Sequence, residues 1–111
     1  MTRRILIVDD DHEMVRTLRD IFHLRGWDTG EAYSGEEAID AQQTQGFDRV
    51  IMDIKMPGIG GLAARQALHR QFPQLPIILM TAQRPADLDA GDAPVIAKPI
   101  DLPALFTMLD S

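Results

Sequence analysis

The sequence contains no cysteine. That absence excludes a disulfide scaffold, a cysteine zinc site and thiol catalysis together. No apolar run approaches the ~18 residues that a membrane span requires. Met1-Thr-Arg-Arg leads directly into a short apolar run, too brief for the core of a signal peptide. A cytoplasmic protein with no membrane contact is expected. Positive charge is scarce: 11 Lys+Arg stand against 17 Asp+Glu, a net charge of −6. Such a chain has little with which to displace counterions from phosphates, so direct nucleic-acid binding is not expected. Internal repeats, low-complexity tracts and linkers are missing as well, which at 111 residues leaves one domain over 1–111. The composition, 45% hydrophobic and 25% charged, is that of a folded globule rather than a disordered tail.

What is present has a clear rhythm. Ile5-Leu-Ile-Val8, Val50-Ile-Met52, Ile77-Ile-Leu-Met80 and Val95-Ile-Ala97 are short, rich in β-branched residues and without polar alternation. Strands covered on both faces read this way. Val15, Leu18 and Phe22, with Met14 and Ile21 beside them, follow helical spacing, and Gly26 closes that helix. Trp27 to Ala32, which carries Asp28 and Gly30, reads as a weaker strand at a sheet edge, with Trp27 in edge packing. Further helices are expected over Glu36–Gln45, Leu62–Phe72 and Leu102–Leu109, the last with Pro103 in its first turn. This alternation implies an α/β fold: a doubly wound, five-stranded parallel sheet with right-handed crossovers and helices on both faces.

The polar residues that interrupt the buried runs all sit at their carboxyl ends. Asp9 and Asp10 follow the first run, Asp53 follows Met52, Thr81 follows Met80 and Lys98 follows Ala97. In an open α/β sheet the ligand crevice lies outside those ends, where the strand order reverses; in the flavodoxin-like order 2-1-3-4-5 it separates the first and third strands. Those are the strands that carry Asp9, Asp10 and Asp53. Two carboxylates ~4 Å apart repel by about 4 kcal/mol at an effective dielectric near ~20. Lys98 offsets one charge only, so a hard divalent cation with oxygen ligands is the natural remedy, and Mg²⁺ suits the site. Mg²⁺, a carboxylate nucleophile, a hydroxyl and a lysine together are the parts of a phosphoryl-transfer centre.

Ile5-Leu-Ile-Val-Asp-Asp-Asp11, Met52-Asp-Ile-Lys-Met-Pro-Gly58, Met80-Thr-Ala82 and Ala97-Lys-Pro99 resemble the motifs of response-regulator receiver domains of two-component signalling. Each motif is weak alone; four in order at strand ends are specific. The resemblance runs from Arg4 to Leu109 and implies that Asp53 is the phosphoacceptor, with Asp9 and Asp10 holding Mg²⁺. It further implies that the backbone carbonyl of Lys55 completes the metal ligands and that Thr81 and Lys98 bind the phosphoryl oxygens. A cis Lys98–Pro99 bond is implied too, and the small Ala82 would leave the acceptor accessible. The expected partners are a histidine kinase or histidine phosphotransfer protein upstream and a protein downstream, in a two-component system or phosphorelay. No output segment follows Ser111, so output in trans is expected unless the chain is an excised piece. Such a domain catalyses its own phosphorylation and dephosphorylation but is not a turnover enzyme.

Two features depart from the family pattern. Only 16 residues separate Thr81 from Lys98, a short crossover against the minimum of about 10–12 for any parallel connection. Pro85 to Ala90 is the one helical stretch it could hold, so the fourth helix is expected to be short, irregular or missing. Val95, three residues before Lys98, stands where receivers commonly place a Tyr or Phe switch. Two other readings compete. A degenerate receiver would bind partners without regard to phosphorylation, but the five site residues are all retained. A small Mg²⁺-dependent phosphatase of the haloacid-dehalogenase kind would use Asp9-Asp-Asp11, but its following Thr is Glu13 here and the chain has no room for a cap. Among the remaining polar residues, Asp11 reads as a helix cap. His12, His23 and His69 read as helix-surface residues, with His12 near enough to the crevice to tune it. The six Met residues read as core filling.

Overall fold

A computed structural model describes residues 3–83 and 89–110. The chain runs β1 (Arg4–Val8), α1 (His12–Leu24), β2 (Asp28–Ala32), α2 (Gly35–Thr44) and β3 (Arg49–Asp53). It continues through α3 (Gly60–Gln71), β4 (Ile77–Thr81), β5 (Val95–Ala97) and α4 (Leu102–Leu109). All strand pairs are parallel, in the order β2-β1-β3-β4-β5. This is the doubly wound flavodoxin-like sheet expected from the apolar rhythm. The crossover helix expected over 85–90 falls chiefly on 84–88, outside the described residues; Asp89 and Ala90 are not helical.

The two-residue period of the strands sorts their side chains into two cores. Leu6, Val8, Val50, Met52, Ile77 and Leu79 face α2 and α3, where Ala38, Ala41, Ala64 and Leu68 cover them. Ile5, Ile7, Ile51, Ile78, Met80 and Ile96 face α1 and α4, meeting Val15, Leu18, Phe22, Leu105, Phe106 and Leu109. Coverage of both faces is the reason these strands show no polar alternation in sequence. Met52, Met56 and Met80 are buried, in keeping with core filling.

Trp27 corrects one expectation. It lies just before β2 and belongs to the core, 3% exposed, rather than to edge packing. Its ring meets Phe22 edge-on at 5.6 Å, Phe22 in turn meets Phe106 at 5.2 Å, and the Arg3 guanidinium lies 4.2 Å over the indole. Aromatic contacts of this kind contribute about 0.5–1.5 kcal/mol each beyond the area they bury. The strand itself is an edge strand, as the sequence implies, and the lack of a side chain at Gly30 is required by packing, because the Phe47 ring occupies the space a β-carbon would need. His69 is a second correction. It is half-buried, and its Nε2 lies 2.9 Å from the Leu75 carbonyl, tying α3 to the loop before β4.

Candidate phosphoryl-transfer site

Parallel strands bring their carboxyl ends to one edge of the sheet, and backbone hydrogen bonds hold the site residues there in register. Asp53 ends β3 opposite Met80. Thr81, the next residue of β4, ends that strand, and its carbonyl accepts from Lys98 N at 2.7 Å. Asp9 continues β1 by donating its N–H to the Ala32 carbonyl at 3.2 Å. Four strand ends thus deliver two carboxylates, a hydroxyl and an ammonium to one place.

The three consecutive aspartates divide the labour at the β1–α1 junction. Asp9 turns inward, 1% exposed, and its Oδ1 accepts from Asp11 N at 3.0 Å. Asp10 is exposed. Asp11 caps α1, accepting from Glu13 N and Met14 N at 3.1 and 3.2 Å, as expected of a carboxylate at a helix start. His12 opens α1 and stacks on Tyr33 with ring centroids 4.0 Å apart, at the rim of the same edge.

Lys98 reaches between the buried carboxylates. Its Nζ lies 2.7 Å from Asp9 Oδ2 and 3.3 Å from Asp53 Oδ1. Burial, the largest influence, pulls the ammonium's pKa down, but the Asp9 hydrogen bond and the Asp53 and Asp9 charges outweigh it, so the net shift is upward. Lys98 is a fixed cation. Asp53 is pushed above the ordinary carboxylate range, by burial first and then by the Asp9 charge, against the opposing pull of Lys98. One lysine therefore does not neutralise the set.

Asp9, Asp10 and Asp53 each offer a ligand oxygen, all within 4.8 Å of one another. Three carboxylate oxygens, one of them solvent-facing, with an uncompensated negative charge are the donor set a hard divalent cation takes. The chemistry of the residues fits Mg²⁺. Lys55, two residues past Asp53, is exposed, so its side chain adds no charge to the buried pair. Thr81 Oγ1 accepts from Gln83 N at 3.0 Å, which leaves the hydroxyl hydrogen free to donate elsewhere. The Lys98–Pro99 bond is cis. Ala82 is exposed beside Thr81, and Val95 is half-buried in β5 opposite Leu79.

Gly61 is a site residue that motif reasoning passed over. A β-carbon there would press into the Asp53 carbonyl oxygen and lie 2.9 Å from Ile54 Cα, while Gly61 N donates to the Ile54 carbonyl at 2.8 Å. The start of α3 is thereby clamped onto the backbone of Asp53. The signal in the sequence is the Gly60-Gly61 pair just after the Asp53 motif. Gly61→Ala gains up to about 1 kcal/mol of helix propensity. Overpacking against backbone, which cannot swing aside, should outweigh it by roughly 1–3 kcal/mol. The urea midpoint should fall with the m-value unchanged; an unchanged midpoint would show that α3 shifts freely.

Comparison with known proteins agrees with this geometry. The family model described as the response regulator receiver domain matches residues 5–110. Response regulator MprA of Mycobacterium tuberculosis is 33% identical over 98% of this chain and 50% of its own length. The chain thus spans about half the length of the curated relatives it matches. Among solved structures, the response regulator TrrA of Thermotoga maritima, in complex with Mg²⁺–BeF, is 31% identical with a TM-score of 0.87, covering 98% of this chain and 97% of that one. The chemotaxis response regulator CheY4 of Vibrio cholerae is 25% identical with a TM-score of 0.89, covering 99% of this chain and 98% of that one. Fold, strand-end chemistry and relatives agree, and this chain belongs to the response regulator receiver domains, the signalling modules of two-component systems.

Proposed function

We propose that Asp53 accepts a phosphoryl group from a phosphohistidine donor and that the phosphorylated domain signals through protein contacts. One observation carries this reading: a buried carboxylate at a strand end, with an ammonium at 3.3 Å and two further carboxylates whose oxygens lie within 4.8 Å. An Asp53 carboxylate oxygen attacks phosphorus, the P–N bond to the donor imidazole breaks, and the imidazole leaves with its electron pair and takes a proton from solvent. Lys98 offsets the charge that the phosphoryl oxygens bring into the cleft. The Thr81 hydroxyl, held by Gln83 N–H through its oxygen, donates its hydrogen to one of those oxygens. Asp9, Asp10, Asp53 and the Lys55 carbonyl would hold Mg²⁺, which when bound supplies positive charge to the transferring group. Exposed Ala82 leaves the acceptor open to the donor and later to water, so the domain loses its own phosphoryl group without turning over a substrate.

The donor on this reading is a histidine kinase or histidine phosphotransfer protein, and the reader is a downstream protein, both in the cytoplasm. The test is the intact mass after incubation with phosphoramidate and Mg²⁺. One added phosphoryl group, lost on hydroxylamine treatment, is the expected result; no adduct under any donor would overturn the reading. Val95 removes the aromatic that commonly reports phosphorylation in the family, so transmission runs through other contacts. Val95→Tyr should therefore leave the rate and extent of phosphorylation unchanged, because Val95 packs against the core and pairs with Leu79, two residues before Thr81. A marked loss of phosphorylation would mean that Val95 supports the cleft.

A further inference from the structure

A cavity of about 370 Å³ opens at the other end of the sheet, under the amino ends of the strands. Its apolar wall is Leu75, Ile77 and Met108, and its polar lining includes Arg49, Arg65 and His69. Among the described residues no Asp or Glu lines it, although the chain as a whole carries a charge of −6. Neither arginine has a carboxylate within ion-pair distance among the described residues. Among the described residues Arg49 donates to backbone carbonyls, Nη1 to Asp48 at 2.9 Å and Nε to Leu109 at 3.4 Å. Arg65 goes further: its Nε is buried and is the one buried side-chain nitrogen or oxygen among the described residues without a hydrogen-bond partner. A guanidinium N–H removed from water and left without an acceptor is unfavourable, and a charged acceptor is its strongest remedy.

We propose that this cavity binds a small amphipathic anion, with a carboxylate or phosphate head on Arg65 and Arg49 and a short apolar body against Leu75, Ile77 and Met108. The volume lies at the low end of the ~300–1,000 Å³ range of small-molecule sites, so the body is a short alkyl chain or a single ring. β4 links the two ends of the domain: Ile77 lies at the cavity and Thr81 in the phosphoryl-transfer site, roughly 13 Å apart along the strand. The cavity and the Asp53 chemistry are separate, and either stands without the other.

The probes are octanoate, octyl phosphate and neutral octanol, titrated into the full chain while the Arg65 Nε–H resonance is followed by NMR. Octanoate or octyl phosphate should move that resonance saturably, and octanol should bind at least about tenfold more weakly. The tighter of the two anions identifies the head group. Arg65→Gln and Arg49→Gln should each weaken anion binding by roughly ten- to hundredfold. Arg65→Lys keeps the charge but loses the fork and should fall between. Phosphorylation of each variant by phosphoramidate reports that the fold is intact. No saturable shift with either anion, equal binding of octanol, or unchanged affinity in the folded variants would overturn the proposal.

Discussion

Asp53→Asn should fold, melt higher than the parent protein in Mg²⁺-free buffer at neutral pH, and take no phosphoryl group. The amide keeps the shape of the carboxylate but not its nucleophilic charge, so labelling by phosphoramidate should fall to background while the sheet stays in place. The stability change follows from the raised pKa of Asp53, which burial and the Asp9 charge produce against Lys98. An acid whose folded pKa exceeds its unfolded one favours folding while protonated. That contribution is present below the unfolded value of about 3.9 and is lost as pH rises through the folded value. At neutral pH the folded state therefore carries an ionised Asp53 against an opposing environment. Asparagine removes that opposition, and a gain of roughly 1 kcal/mol would raise the melting temperature by several degrees in a domain this size. The gain should shrink as pH falls toward 4, which calorimetry at two pH values would show. Persistent labelling would remove Asp53 as the acceptor; a lower melting temperature would mean that its ion pair with Lys98 outweighs burial.

Lys98→Met should produce the opposite sign and a larger change. The ammonium bridges Asp9 and Asp53 at 2.7 and 3.3 Å, and Asp9 is almost fully buried. Removing one member of a buried ion pair leaves the other charge without compensation, typically a loss of about 3–5 kcal/mol. Lys98 keeps 23% side-chain exposure, so solvent screening reduces this to roughly 2–3 kcal/mol. Two further measurements separate charge from packing. Added Mg²⁺ should recover part of the lost stability, because it supplies positive charge to the same carboxylates. Lys98→Met combined with Asp9→Asn should be less destabilised than Lys98→Met alone, since the stranded charge is then gone. Equal stability of Lys98→Met and the parent protein would show that the bridge contributes nothing. Phosphorylation of Lys98→Met should also be slowed strongly, because the incoming phosphoryl oxygens meet two buried carboxylates with no cation between them.

Much of the site is legible in the sequence because parallel strands convert a linear feature into a spatial one. A polar residue at the carboxyl end of each apolar run must arrive at the same edge once the runs pair in parallel. Asp9, Asp53, Thr81 and Lys98 can therefore be grouped from their positions in the chain. Asp11 is legible for a local reason, since helix capping depends on the next three residues alone. Trp27 is not, because its burial depends on Phe22 and Phe106 meeting across α1 and α4. Gly61 escapes notice as well: its role is a backbone approach to Asp53, and no side-chain pattern records one.

In an acidic, cysteine-free chain, short unalternating apolar runs already pointed to a parallel α/β sheet and grouped Asp9, Asp10, Asp53, Thr81 and Lys98 at one of its edges. The strand order and the roles of those residues came from the family resemblance. Periodicity and strand-end polarity are local properties, and a parallel sheet leaves few ways to assemble them. Tertiary structure alone decided which of three adjacent aspartates turns inward, that Lys98 bridges two carboxylates, and that Arg65 Nε is buried without an acceptor among the described residues. These depend on the direction of individual side chains and on neighbours far away in sequence. Packing settles them, because the free energy of a buried charge is set by the atoms within a few ångströms of it.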